Sequence, residues 1–356
     1  MRRAPLVAAL LLAAWALPGC ATGYVVRAAY EEARLLWRRE PIALLLRRED
    51  LDPALRAQLE LTLAARQFAA DDLGLRVGGS YASLATVDAG QIVHVVSAAP
   101  RDRLEPYTWW FPIVGRVPYR GYFERSDADA LAAALQGEGY DTDVRPAVAF
   151  STLGWFDDPL LSSMLRSDDE RLVETVLHEL THATVYVPGQ AAFNESLATF
   201  VGHRGSERFF AARGDATRAN RAAARWADAL TFSAFLAGAV DRLRAAYAVG
   251  IDDANRRALF ATLQHDAAQQ QWLTDEYAWF PRLPLNNAVL LQAGLYASGL
   301  ARFEAVEACG GDLRRTVAAV RAAVAAAPDP FAALAELCAS SAPPGAMDAT
   351  VAIPAP

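Results

Sequence analysis

The sequence contains no lysine: all 34 basic residues among its 356 are arginine. A phosphate-cradling P-loop needs its lysine and Schiff-base chemistry needs an amine, so neither a nucleotide partner of that kind nor pyridoxal-type catalysis fits. Positive charge is also in deficit. Against 41 acidic residues the formal charge is -7 and the isoelectric point is near 5.4, which leaves no basic face for a nucleic-acid partner. Cysteine occurs three times and histidine five times. Long apolar runs are missing beyond the amino terminus, where no segment reaches the roughly 18 residues that a membrane-spanning helix requires. What is present, 53% hydrophobic and 21% charged residues, describes a globular chain long enough to bury a large core.

The amino terminus reads as an export signal. Met1, Arg2 and Arg3 form a short positive region, and Leu6 to Leu17 is an uninterrupted apolar run of twelve residues. Leu17-Pro18-Gly19-Cys20 resembles a bacterial lipobox, in which the cysteine is acylated and becomes the first mature residue. Residues 1–19 are therefore expected to be a lipoprotein signal peptide. Cys20 is expected to anchor the protein at a membrane surface by its acyl chains, without a spanning helix. Ala21 in place of an aspartate points, in such lipoproteins, to the periplasmic face of the outer membrane. Only Cys309 and Cys338 remain, and the residues leave open two small buried thiols, the favoured reading, or a disulfide formed in an oxidising compartment.

Along the chain, Ala28 to Leu73 has helical spacing punctuated by Pro41 and Pro53. Ile92 to Val96 and Val144 to Ser151 read as strands, Trp109 to Phe123 is an aromatic block broken by proline and glycine, and Ala128 to Leu135 is a helix. From Asp168 to about Leu337 the pattern is helical, with breaks expected near Pro188-Gly189, Gly205, Gly214, Gly250 and Pro281 to Pro284. The expected architecture is α+β and predominantly helical, with a small mixed sheet upstream. A single domain over 20–339 precedes a disordered tail over 340–356.

The chemistry resides in His178-Glu179-Leu180-Thr181-His182. Histidines four apart stand one turn above each other on a helix, so both imidazoles can reach one Zn²⁺. Glu179 lies about 100° around the helix, where it suits a general base acting on a metal-activated water. Ser167 followed by Glu170 reads as a capping box that starts this helix. A catalytic zinc needs a third protein ligand, and Glu195 is the candidate. About five residues of helix would carry the chain roughly 7 Å past His182, Pro188-Gly189 would turn it, and a returning helix would bring Glu195 level. Tyr119, Arg120 and Tyr122 are the first candidates to stabilise an oxyanion, with Tyr186 and Tyr296 behind them. Arg120 is the cation preferred there, and the strand at Val144 to Ser151 is a candidate edge for an extended peptide.

The segment from His178 through Asn194-Glu195-Ser196-Leu197-Ala198 resembles the gluzincin type of zincin metallopeptidase. Phe111 to Phe123, Phe150 to Leu160 and His178 to Ala198, in that order, resemble a family of bacterial aminopeptidases. The likeness covers roughly Val25 to Cys338. It implies a zincin-like fold and a peptidase with one zinc ion, with His178, His182 and Glu195 as ligands and Glu179 as base. Glu195 follows His182 by thirteen residues, a shorter interval than in the better-known gluzincins. No second acidic motif identifies an anchor for a substrate α-amino group, Asp157-Asp158 being the nearest suspect. His203 reads as a hydrogen-bonding structural residue. The rival to a membrane-anchored zinc peptidase is a lipoprotein scaffold whose zincin-like domain binds without catalysing, though such a domain would have no use for Glu179.

Overall fold

Residues 37–87, 93–111, 115–147 and 157–339 are described by the structure, a computed structural model. The leader 1–19, Cys20, the tail 340–356 and the Phe150 to Phe156 part of the second family-like block lie outside the described residues.

A short strand β1 (Glu40–Pro41) and a single helical turn α1 (Ile42–Leu45) lead into the long helix α2 (Pro53–Asp71). Pro53 sits at the first position of α2, where its missing N–H is harmless, and the Asp52 carboxylate accepts the Leu55 N–H. Next come strands β2 (Ser83–Ala85), β3 (Val93–Pro100), β4 (Trp109–Phe111), β5 (Gly115–Val117) and β6 (Arg120–Tyr122). Helix α3 (Arg125–Gly137) and strands β7 (Tyr140–Ala147) and β8 (Leu160–Leu161) follow. The remainder is helical: α4 (Asp169–Thr184), α5 (Ala191–Ala212), α6 (Ala216–Ala248), α7 (Asp253–Ala268), α8 (Asn287–Ala297), α9 (Leu300–Gly310), α10 (Leu313–Val324) and α11 (Pro330–Ala339).

The α+β, mainly helical architecture agrees with the expectation, but among the described residues the β structure forms three small sheets instead of one. β2 pairs antiparallel with β1 and parallel with β8, which makes this the one mixed sheet among the described residues. The second sheet runs β6-β3-β7, antiparallel throughout, and β4-β5 is a separate ribbon. Within the described residues the strands of the aromatic block are three residues each, and Pro118 falls between β5 and β6. The strand expected from Val144 begins earlier, at Tyr140. Gly139, at φ +91°, ends the α3 turn and releases the chain directly into β7. β7 pairs with β3 on one side and with no strand among the described residues on the other.

The core is built around α4, which packs on α5 along most of its length, with α2 and α6 beside them. Leu172, Val173, Val176, Leu177 and Leu180 of α4 and Phe193, Leu197, Phe200 and Val201 of α5 are almost wholly buried. Each such side chain contributes about 1.5–3 kcal/mol through removal from water. Gly205, expected to interrupt the helix, lies inside α5. With Gly202 it faces α4. A Cβ on Gly202 would stand 2.9 Å from the Glu174 carbonyl oxygen and 3.4 Å from His178 Cβ, and one on Gly205 would stand 2.6 Å from Leu177 Cδ1. These glycines are there for close helix approach, a requirement that looks the same in sequence as a break.

Cys309 and Cys338 are joined by a disulfide that ties α9 to α11, so the favoured expectation of two free thiols does not hold. Among the described residues, no helix is long and apolar enough to cross a membrane.

Candidate active site

Helix α4 starts one residue later than the capping-box reading places it. Asp168 is the N-cap and its carboxylate accepts the Arg171 N–H at 2.9 Å, with Asp169 and Glu170 in the first turn where the helix dipole favours acids. Asp168 also takes two hydrogen bonds from the Arg225 guanidinium. That contact holds its carboxyl down at about 2, with burial opposing and the Arg171 N–H assisting. Glu170 is buried and ion-paired with Arg221, so it does not reach back to Ser167.

The α4–α5 connection is tighter than expected. α4 ends at Thr184, two residues past His182, and α5 begins at Ala191, four residues before Glu195. Gly189, at φ +75°, supplies the left-handed turn. Asn194 fixes the connection: its side-chain oxygen accepts the Val187 N–H at 2.9 Å, and its amide donates to the Val187 carbonyl at 2.8 Å. Because Asn194 is buried, this two-way bond sets where α5 starts and therefore where Glu195 points.

His178 Nε2, His182 Nε2 and Glu195 Oε2 converge. The two ring nitrogens are 3.3 Å apart, and Glu195 Oε2 lies 3.3 Å from His178 Nε2 and 3.5 Å from His182 Nε2. Ligands at the 2.0–2.2 Å typical of zinc span tetrahedron edges of roughly 3.3–3.5 Å, so these three atoms form one face of such a tetrahedron. They are the only group of three or more His, Cys, Asp or Glu side chains with metal-ligand spacing among the described residues. Burial works to raise the Glu195 carboxyl, but the two imidazoles overcome it and hold the group well below the usual carboxylate range. Burial likewise opposes charge on His182, and the Glu195 and Glu179 carboxylates overcome it and raise its pKa.

Glu179 stands beside the triangle without joining it. Burial pushes its carboxyl upward, His178 and His182 pull it down, and Glu195 and Asp158 add to the rise. The Asp157-Asp158 pair divides in role. The Asp157 side chain accepts the Gly79 N–H at 2.8 Å and so shapes a turn, whereas Asp158 is buried within electrostatic reach of Glu179 and Tyr81.

Three tyrosines surround Glu195. The Tyr119 phenol is raised well above its ordinary value by burial and then by the Glu195 charge. Tyr186 is raised by the same two causes, and Tyr296 by Glu195 first and burial second. All three remain protonated hydrogen-bond donors. The Tyr296 ring stacks on His178 with centroids 6.1 Å apart, and 41% of its surface is exposed.

Arg120 and Tyr122 are not in this group. Strand alternation puts both on the face of β6 that packs toward α3, where Tyr122 joins Val96, Ala128 and Ala132 and the Arg120 guanidinium lies 5.3 Å over the Tyr122 ring. Burial raises the Tyr122 phenol, with the Arg120 charge opposing and the Asp127 charge assisting. The cation that does act on Tyr296 is Arg145 of β7, which the residue pattern alone did not single out. Its signal is the register: Val95 pairs with Gly121 and Arg145, one residue out of phase with the Val96, Arg120 and Val144 row.

His203 is buried with Nδ1 3.5 Å from the Glu174 carboxylate and its ring 5.9 Å from Trp226, in keeping with a structural role. No curated protein and no solved structure matches the chain. A family model described as Putative aminopeptidase matches residues 23–330, a span that takes in the helix pair, the three tyrosines and the sheets beside them, and the chain belongs to that family.

Proposed function

We propose that this protein is a zinc-dependent peptidase of zincin, gluzincin-type fold, held at the periplasmic face of the outer membrane by lipidation of Cys20. The convergence of His178, His182 and Glu195 beside a carboxylate that belongs to none of them carries the reading. A purely structural site would have no use for Glu179.

A zinc ion held by His178, His182 and Glu195 would supply Lewis acidity and bring the pKa of a water toward neutrality. Glu179 then accepts the proton of the attacking water and passes it to the departing amine. Its burial suits a base whose pKa lies above the usual carboxylate range. Tyr119, Tyr186 and Tyr296, all protonated, are the donors available to the oxyanion that develops at the scissile carbonyl. The edge of β7 that pairs with no strand among the described residues can hydrogen-bond an extended substrate backbone beyond Thr142, whose carbonyl already accepts from Asn286.

Metal content and cleavage of an N-terminally free and an N-blocked peptide, for the wild type and Glu179→Gln, test the assignment. The wild type is expected to cleave, and the variant to keep its zinc while losing at least about a thousandfold in kcat. Preference for the free amino terminus assigns exopeptidase action. Zinc binding without turnover of either peptide would contradict catalysis and leave the scaffold reading.

A further inference from the structure

Scattered exposed rings are ordinary on a protein surface, but Tyr296 is held firmly and beside the metal-ligand face. It is the penultimate residue of α8 and lies between the buried Leu295 and Ala297, yet it is itself exposed. Both ends of α8 are fastened. The Asn287 N–H donates to the Asp141 carboxylate at 3.0 Å, and the Asn287 side chain donates to the Pro100 carbonyl at 2.7 Å. At the other end, the last-turn carbonyls, which lack partners inside the helix, take side-chain donors. The buried Ser196 hydroxyl donates to the Leu295 carbonyl at 3.0 Å, and Ser298 donates to that of Gly294 at 2.5 Å. Ser196 directly follows Glu195, so one hydrogen bond ties the turn that carries Glu195 to the turn that carries Tyr296.

The result is a ring laid over His178 with the two planes 28° apart and the centroids 6.1 Å apart, and no other ring among the described residues packs on it. The hydroxyl is one of the donors in the reading above, but the remaining ring surface has no part in that role. A tyrosine ring has an electron-rich face and a positive edge, so it pairs well with a second ring, offset-stacked or edge-on, at about 4.5–7 Å between centroids. A peptide whose scissile carbonyl meets the face formed by His178, His182 and Glu195 brings its flanking side chains within that range, since extended chain advances about 3.3 Å per residue.

We propose that the exposed surface of the Tyr296 ring is the wall of a substrate subsite that selects an aromatic side chain on a residue flanking the scissile bond. Tyr296 is then a specificity residue through its ring, whatever its hydroxyl contributes to the oxyanion. The inference rests on the peptidase reading above.

The test uses one peptide core in matched pairs, phenylalanine against alanine, placed in turn on either side of the scissile bond. In the zinc-loaded wild type, kcat/KM is expected to favour phenylalanine in one pair by about tenfold or more, mainly through KM. The pair that responds shows which side the subsite serves. In Tyr296→Phe, which keeps the ring without the hydroxyl, the ratio is expected to persist even where the rate falls. In Tyr296→Ala it is expected to drop to about one. Damage to His178 or to metal binding slows both members of a pair alike and leaves the ratio where it was. A wild-type ratio near one in both pairs, a ratio lost in Tyr296→Phe, or one retained in Tyr296→Ala would overturn the proposal. Binding of the same labelled peptides to zinc-loaded Glu179→Gln, followed by fluorescence anisotropy, separates this from failure of the peptidase reading. A phenylalanine preference there that disappears in Glu179→Gln/Tyr296→Ala upholds the subsite even without turnover, and its absence sinks the subsite even if peptides are cleaved.

Discussion

The Asn194 side chain bonds both backbone groups of Val187 and so fixes the register of Glu195, the residue that follows it. Asn194→Ala leaves a backbone donor and acceptor in the α4–α5 turn without these partners. It is expected to weaken zinc binding by about 10–100-fold while leaving helix content intact, as read by competition with a chromophoric chelator. Unchanged affinity would show that Glu195 is positioned by α5 packing alone. The residue scale is also where sequence reading divides most sharply. Spacing alone named His178, Glu179, His182 and Glu195, because a helix converts an interval of four into a shared face. Arg120 and Arg145 could not be ranked that way, since strand register decides which face each occupies, and register depends on pairing partners distant in the sequence.

At the scale of elements, two helices in close contact determine the site. Gly202→Ala directs a methyl group at a backbone oxygen of α4 that cannot rotate away, whereas Gly205→Ala meets the movable end of Leu177. The first is expected to cost about 1–3 kcal/mol in urea unfolding and to loosen the proposed zinc site, and the second to cost less. Equal effects would mean that the crossing distance is not set at Gly202. The start of α4 carries a pH signature. Asp168 has a folded pKa of about 2 against an ordinary 3.8, so its stabilisation is complete above about pH 4 and is lost as the pH falls toward 2. The stability difference between wild type and Asp168→Asn is expected to shrink over that window, and a pH-independent difference would contradict the ion pair with Arg225. The helix itself was legible from its acidic first turn and apolar face. Its cap is Asp168 and not Ser167: both are good capping residues, and only the Arg171 and Arg225 contacts choose between them.

For the molecule as a whole, the mostly helical plan followed from periodicity, whereas the division of the β residues among three sheets did not. Among the described residues that division depends on which short strands find pairing partners distant in the sequence. Pairing of Cys309 with Cys338 was also beyond sequence, because it requires α9 and α11 to bring the two Cα atoms to 5.7 Å. Closing a loop across a sequence separation of 29 is expected to stabilise the fold by about 3–4 kcal/mol on the chain-entropy account. A reductant or Cys338→Ala should accordingly lower the melting temperature, and no shift would place the carboxy-terminal helices outside the cooperative unit. A disulfide also accords with the oxidising compartment that the proposed signal and Cys20 imply.

In the proposed mechanism one zinc ion, held by the two helices, makes this protein a hydrolase. Titrating metal-free protein with zinc while following peptide cleavage tests it most directly. Activity is expected to rise in proportion to added zinc, to level at one equivalent per chain and to stay at baseline throughout in Glu179→Gln. Cleavage that is independent of zinc, or equal in Glu179→Gln, would contradict it.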